Sequence, residues 1–144
     1  MEIEYRHSYG IIPLFKEADG ILVLLVRQTS RGESYWSFPK GTPEENESPI
    51  ETARREVKEE VQITFNEIDE EVTFIEHYVY MRDEQQVDKQ STFFIGFSES
   101  KDFVIQANEI DEAVWCPVQW VEEKLTYPET KRLWKKVEEH LASL

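Results

Sequence analysis

The stretch Gly41–Ile63, GTPEENESPIETARREVKEEVQI, strongly favours one local structure, and that structure gathers negative charge. Ser48 is suited to cap a helix, Pro49 to occupy its first position, and Glu51 to complete a capping box with Ser48. On the helix that follows, Ile50, Ala53, Val57 and Val61 share one face, which predicts the side turned to a core. Glu56, Glu59 and Glu60 then fall beside that face within an arc of about 100°. Glu51–Arg55 and Arg55–Glu59 are spaced as i,i+4 pairs. Like charges held this close are costly unless a positive group lies among them, and a divalent cation such as Mg²⁺ or Mn²⁺ answers that need with oxygen ligands.

The rest of the chain supplies a domain to carry this helix. Its 144 residues suit one compact domain, 1–144, and 40% hydrophobic with 12% aromatic content is enough for a core. Tyr9–Phe15 and Ile21–Arg27 are apolar runs parted by a segment ending in Asp19-Gly20, the pattern of a hairpin. Thr29–Ser34 reads as a loop, and Tyr35–Phe38 as a short alternating strand that stops at Pro39. Val72–Met81 and Thr92–Phe97 read as strands joined by the charged stretch Arg82–Gln90, with Phe103–Gln106 and Ala113–Cys116 as two further short strands. Val118–Glu123 predicts a short helix, and Pro128–Leu141 a closing helix with Leu133, Trp134, Val137 and Leu141 inward. Strands on both sides of a helix, with a helix at the end, predict an α/β fold: a mixed sheet sandwiched between helices.

The net charge of −14 excludes extended contact with a nucleic-acid backbone or an anionic membrane, so a polyanionic ligand would need local Lys, Arg or metal. The longest apolar run, Ile21–Val26, is too short to span a bilayer, and no cleavable leader pattern opens the chain. Cys116 is the only cysteine, so no intramolecular disulfide forms, which suits a reducing, cytoplasmic location. His7, His77 and His140 lack metal-ligand spacing and read as structural or surface residues. The four tryptophans, Trp36, Trp115, Trp120 and Trp134, read as core.

Gly41, Glu47, Arg55, Glu56, Val57, Glu59, Glu60 and Ile63 occur at the spacing of the Nudix box, and the chain resembles that family. One position departs: Gln62 stands where the family's glycine helps end the helix, which predicts a small loss of stability or a shifted helix end. The resemblance implies the Nudix fold and metal-dependent hydrolysis of a nucleoside diphosphate linked to another moiety. Glu56, Glu59 and Glu60 match the metal-binding glutamates, with Glu47 and Arg55 as the supporting pair and Gly41 able to bring a carbonyl close to the metal.

The flanks narrow the resemblance. Trp36-Ser37-Phe38-Pro39-Lys40-Gly41 and Leu125-Thr126-Tyr127-Pro128-Glu129 are similar to segments of the diadenosine tetraphosphate hydrolases. That likeness implies a polyphosphate contact for Lys40 and a base-stacking role for Tyr127, against the plainer expectations of a surface lysine and a tyrosine packed under the last helix. Tyr80 and Arg82 are candidates for the other side of a base or phosphate site. Glu109 lies where such enzymes place a loop glutamate, as metal ligand or as the base that deprotonates the attacking water, with Asp111 and Glu112 as neighbours. The expected reaction is water attack on diadenosine tetraphosphate to give ATP and AMP, the partner being a small-molecule nucleotide. Alternatives are a nucleoside triphosphate, a nucleotide sugar, a triphosphorylated RNA 5′ end, or a non-catalytic nucleotide-binding domain.

Overall fold

The computed structural model describes residues 2–30, 32–106 and 109–144. In chain order these form β1 (Ile3–Glu17), β2 (Gly20–Ser30), β3 (Glu33–Ser37), β4 (Lys40–Gly41), α1 (Pro49–Val61), β5 (Phe65–Arg82), β6 (Gln85–Ser98), β7 (Ile110–Pro117), α2 (Val118–Lys124) and α3 (Pro128–Ala142). Among the described residues the sheet has seven strands, ordered β3-β2-β1-β6-β5, with β4 on β1 and β7 on β2. The β1–β6 pair is parallel and the others antiparallel, so the sheet is mixed as expected.

Both faces of this sheet are covered, and the strand sequences show why. Ile11-Ile12, Leu24-Leu25 and Phe93-Phe94 are consecutive apolar pairs, and successive strand residues point to opposite faces. Ile12, Leu25 and Phe93 pack with Val121 of α2 and Leu133, Trp134 and Val137 of α3. Ile11, Leu24 and Phe94 pack with Ala53, Val57 and Val61 of α1. Ile50 and Leu141 join these cores from partly buried positions. Burying each valine of α1 contributes about 1.5–3 kcal/mol, which fixes the helix by one face and leaves the glutamates on its flank.

The sheet splits, and the split locates the site. Strand β1 pairs with β2 only from Leu14 to Glu17. Pro13, which has no N–H to give, is the next residue beyond that ladder. Past it, β1 pairs instead with β4, Tyr9 opposite Gly41 and Gly10 opposite Lys40. A Cβ on Gly10 would meet the Pro39 carbonyl at 2.1 Å, so only glycine lets the two backbones approach this closely. The loop that enters α1 is thereby stitched to the sheet.

Three segments depart from the sequence pattern. Arg82–Gln90 is not a connecting loop: β5 and β6 continue to a two-residue turn at Asp83 and Glu84, with φ values of 50° and 66°. Such a turn suits a tight hairpin, and of the charged residues in this stretch Arg82 and Lys89 line a cavity. Phe103–Gln106 is not a strand. Phe103 and Ile105 do pack on the α1-side core, but Val104 N–H donates to the Val61 carbonyl and Gln106 N–H to that of Glu60. The alternation is real, and its partner is the end of α1 rather than a strand. Thr29–Ser34 is largely strand, since β2 and β3 extend into it. Among the described residues no helix is long and apolar enough to cross a membrane.

Candidate active site

Arg55 is the hub of the acidic region. Its Nε and Nη2 donate to the two oxygens of Glu47 at 2.7 and 3.0 Å, a fork-to-carboxylate pair. Nη2 also donates to the Thr42 carbonyl at 2.9 Å, and Nη1 to Glu56 at 2.9 Å and Glu59 at 3.1 Å. The entry loop is therefore tied to α1 through Glu47. Glu51 does not pair with Arg55, because its carboxylate is taken by the Ser48 N–H at 2.9 Å in the capping box. Glu47 further accepts from the Glu44 N–H and the Thr52 hydroxyl. Arg55, followed by these hydrogen bonds, holds the Glu47 carboxyl down to about 2.

Two glutamates behave differently. Burial raises the Glu56 carboxyl above its ordinary range, against the pull of Arg55. Burial, then the charge of Glu56, pushes Glu60 up to about 8, although Lys40 opposes through its charge and its backbone N–H. Among the described residues Glu60 Oε2 is buried without a hydrogen-bond partner. Gly41 lies against Glu56: a Cβ there would meet the carboxylate oxygens at 2.2 and 2.4 Å. An orphaned buried carboxylate oxygen, a second carboxylate destabilised beside it, and a backbone cradle make an oxygen-only donor set that fits a hard divalent cation. In this conformation the carboxylates are not gathered round one point, since no three such side chains form a ready cluster among the described residues.

Beside this acidic region is an aromatic cleft. Tyr35, Tyr78, Tyr80 and Tyr127 line a cavity of about 520 Å³ together with Arg6, Arg82 and Lys89. The Tyr35 and Tyr127 rings lie 5.1 Å apart, centre to centre, tilted by 38°. Tyr35 donates its hydroxyl to Gln28 Oε1 at 2.6 Å, which fixes the ring. The Lys40 ammonium is 5.9 Å from the Tyr35 ring centre and links the cleft to the acidic region. Lys40 is 8% exposed, so it is no ordinary surface lysine. Burial, then Lys40, lowers the Lys89 ammonium to about 8.

Glu109 stands in the turn just before β7, where its carbonyl accepts the Thr29 N–H at 2.8 Å. Its charge is felt by Glu60, Tyr35 and Lys89, which places it electrostatically between the two regions. Ala107 and Asn108, read with it in the sequence, lie outside the described residues. Asp111 is occupied elsewhere, accepting from Arg27 at 2.7 Å and Thr29 at 2.8 Å.

Most residues singled out in the sequence are thus brought to one end of the sheet. Sequence reasoning missed Tyr35, Tyr78, Lys89 and Arg6 as cleft residues. A signal existed for one: Tyr78 shares the period-two face of Tyr80 and Arg82. Trp120 is a correction, since it is 56% exposed on α2 and not core. His77 is an outer-face residue bonded to Asp88 at 2.8 Å.

A split mixed sheet with an arginine-locked acidic helix on one face and a helical pair on the other is the Nudix fold. Residues 4–137 match the NUDIX domain model, and the chain belongs to the Nudix family. It is 33% identical over 122 residues to Nudix hydrolase 5 of Arabidopsis thaliana, covering 80% of this chain and 37% of that one. It is 31% identical over 81 residues to the RNA pyrophosphohydrolase of Bartonella henselae, covering 53% and 46%. The chain therefore matches less than half the length of either curated relative. Its fold superposes on the C. elegans Ap4A hydrolase binary complex with a TM-score of 0.81, at 24% identity over 96% of this chain and 99% of that one.

Proposed function

We propose that this protein is a Mg²⁺- or Mn²⁺-dependent Nudix hydrolase that cleaves dinucleoside polyphosphates, converting diadenosine tetraphosphate to ATP and AMP. The observation that carries this reading is the tyrosine cleft, lined by Arg6, Arg82 and Lys89 as well as Glu33 and Glu129, and joined to the acidic helix through Lys40 between Tyr35 and Glu60. A nucleoside needs an aromatic face, and a polyphosphate leading from it to the carboxylates needs cations along the way. The family resemblance and the hydrolases among the relatives agree with it.

Glu56, Glu59 and Glu60, with the Gly41 carbonyl, would hold the cation. When bound, it supplies neutralisation of phosphate charge and acidifies a water. Lys40 and the cleft cations bind and orient the phosphates. Tyr127 stacks on the base, with Tyr80 on the β5 side. Glu109 takes the proton as the water oxygen attacks phosphorus, and the bond to the leaving phosphate oxygen breaks. The single, buried Cys116 accords with a cytoplasmic enzyme.

The Bartonella relative supports a second substrate, a triphosphorylated RNA 5′ end. The net charge of −14 limits such binding to the end itself. The test is a Mg²⁺-dependent turnover panel of dinucleoside polyphosphates, nucleoside triphosphates, nucleotide sugars and a 5′-triphosphorylated oligonucleotide. Diadenosine tetraphosphate should give the highest kcat/KM, and Glu59→Gln should lower kcat by about 100-fold or more, since even outer partners of metal ligands cost 10–100-fold. No turnover of any member overturns the enzyme, and preference for another member overturns the substrate.

A further inference from the structure

Glu76 is a buried carboxylate that the reaction does not use. It sits on β5 with 4% exposure, and its Oε2 accepts a hydrogen bond from the hydroxyl of Thr130, itself 1% exposed. Across the strand pair it faces Ser91, whose hydroxyl is buried and without a partner among the described residues. Burying a carboxylate is unfavourable, so a fold that keeps one here holds it for a geometric or electrostatic return.

The place of Thr130 supplies the geometry. It is in the first turn of α3, whose N-cap is Tyr127. Tyr127 makes no side-chain capping bond, so the helix start lacks the local lock that Ser48 and Glu51 give α1. Its ring instead rests against Tyr35, 5.1 Å away. Glu76 shares its strand face with Tyr78 and Tyr80, the opposite wall of the cleft. The bond between Glu76 and Thr130 thus joins the wall carrying Tyr78 and Tyr80 to the turn carrying Tyr127. The charge of Glu76 also reaches Lys89, where it favours the ammonium against burial.

We propose that Glu76 and Thr130 are positioning residues that set the width of the aromatic cleft, pinning the turn of Tyr127 to the strand of Tyr78 and Tyr80. The kinetic consequence rests on the reading of this cleft as the nucleotide site; the positional claim does not. Both are tested with Thr130→Val, which keeps shape and loses the donor, Thr130→Ser, which restores the donor, and Glu76→Gln, whose amide oxygen can still accept. The ring resonances of Tyr127 are followed by NMR in the ligand-free protein, with Tm as a control for folding. KM and kcat are measured for diadenosine tetraphosphate.

Thr130→Val should shift the Tyr127 ring signals away from those of the wild type, and Thr130→Ser and Glu76→Gln should return them toward it. KM should rise about fivefold in Thr130→Val with kcat within about twofold, the pattern of lost uniform binding. Unmoved Tyr127 signals in a folded Thr130→Val protein overturn the proposal whatever the kinetics. Moved signals with an unchanged KM support the pinning and overturn the assignment of Tyr127 to substrate.

Discussion

The acidic region and the aromatic cleft lie side by side, yet they are built in opposite ways. The first is held by partners close in sequence: Arg55 reaches Glu47, Glu56 and Glu59, all within eight residues of it. The second is assembled across the chain, with Tyr35 from β3 against Tyr127 before α3 and Tyr78 and Tyr80 from β5. Local construction makes the acidic region a rigid unit that depends on one cation. Long-range construction makes the shape of the cleft depend on contacts between separate elements, such as Tyr35 against Tyr127 and Glu76 with Thr130. This difference suits a chemistry that stays constant beside a specificity that varies.

The sharpest way to break this contrast is to remove the hub. Arg55→Ala leaves the partly exposed Glu47 and Glu56 without their cation, and should lower stability, read as a urea midpoint moved to lower concentration. Turnover should fall on the order of 10–100-fold as well, because the same side chain orients the carboxylates. Arg55→Lys should rescue little, since an ammonium cannot reproduce the fork. A mutant of unchanged stability would mean that the network is an exposed surface cluster, and the contrast with the cleft would fail.

Within the acidic region the pH response discriminates the two kinds of glutamate. Burial raises Glu60 to about 8, against the ordinary glutamate value of 4.5. The folded state therefore holds a proton that the unfolded state has lost between these values, and the contribution of Glu60 to stability falls as pH rises through that window. Glu60→Gln should flatten this decline in the Tm-against-pH curve. Added Mg²⁺ should raise Tm of the wild type at pH 8 and not that of Glu60→Gln. A decline of equal slope in both proteins would remove Glu60 as its source.

The cleft should respond in affinity rather than in stability. Tyr127 is half-buried, lines the cavity and belongs to neither apolar core. Tyr127→Ala should raise KM for diadenosine tetraphosphate about tenfold, within the usual 1–3 kcal/mol of base stacking, with Tm nearly unchanged. Tyr127→Phe should retain most of the affinity. A large drop in Tm from Tyr127→Ala would instead make the ring a packing element under α3. Lys40→Ala should also raise KM, but with some loss of stability, because this lysine is buried beside Glu60.

The same contrast explains what could be read from the chain. Helix α1 was legible to its caps, because capping box, proline and apolar face are all local signals. The spacing of Glu47, Arg55, Glu56, Glu59 and Glu60 carried the acidic region, although Glu51 went to the capping box and not to Arg55. The cleft was legible only where a resemblance touched it, at Lys40 and Tyr127. Tyr35 reads as one residue of a short strand until the fold sets its ring against Tyr127. Lys89 lies in a stretch whose charges suggest a connection, because the exposed apolar residues Ile75, Val79 and Met81 of β5 blur the separation of apolar from polar faces. Phe103–Gln106 shows the same limit from the other side, as its period-two pattern is satisfied by the carbonyls at the end of α1.

That helix end is also where the smallest effect is expected. Gln62 closes α1 in the left-handed conformation, φ 54° and ψ 41°, with its N–H shared by the Lys58 and Val57 carbonyls. The helix end is therefore not shifted by the missing glycine; the conformation is kept and its strain accepted. A non-glycine residue there costs about 1–2 kcal/mol, while glycine loses about 0.4–1 kcal/mol more backbone entropy on folding. Gln62→Gly should thus stabilise the protein by about 0.5–1 kcal/mol, seen as a small rise in the urea midpoint at unchanged slope. KM should not move, because the cleft is built from other parts of the chain. A gain in kcat would show that the strain at Gln62 is transmitted to Glu59 and Glu60 one turn away, and that the acidic region is less rigid than its arginine lock implies.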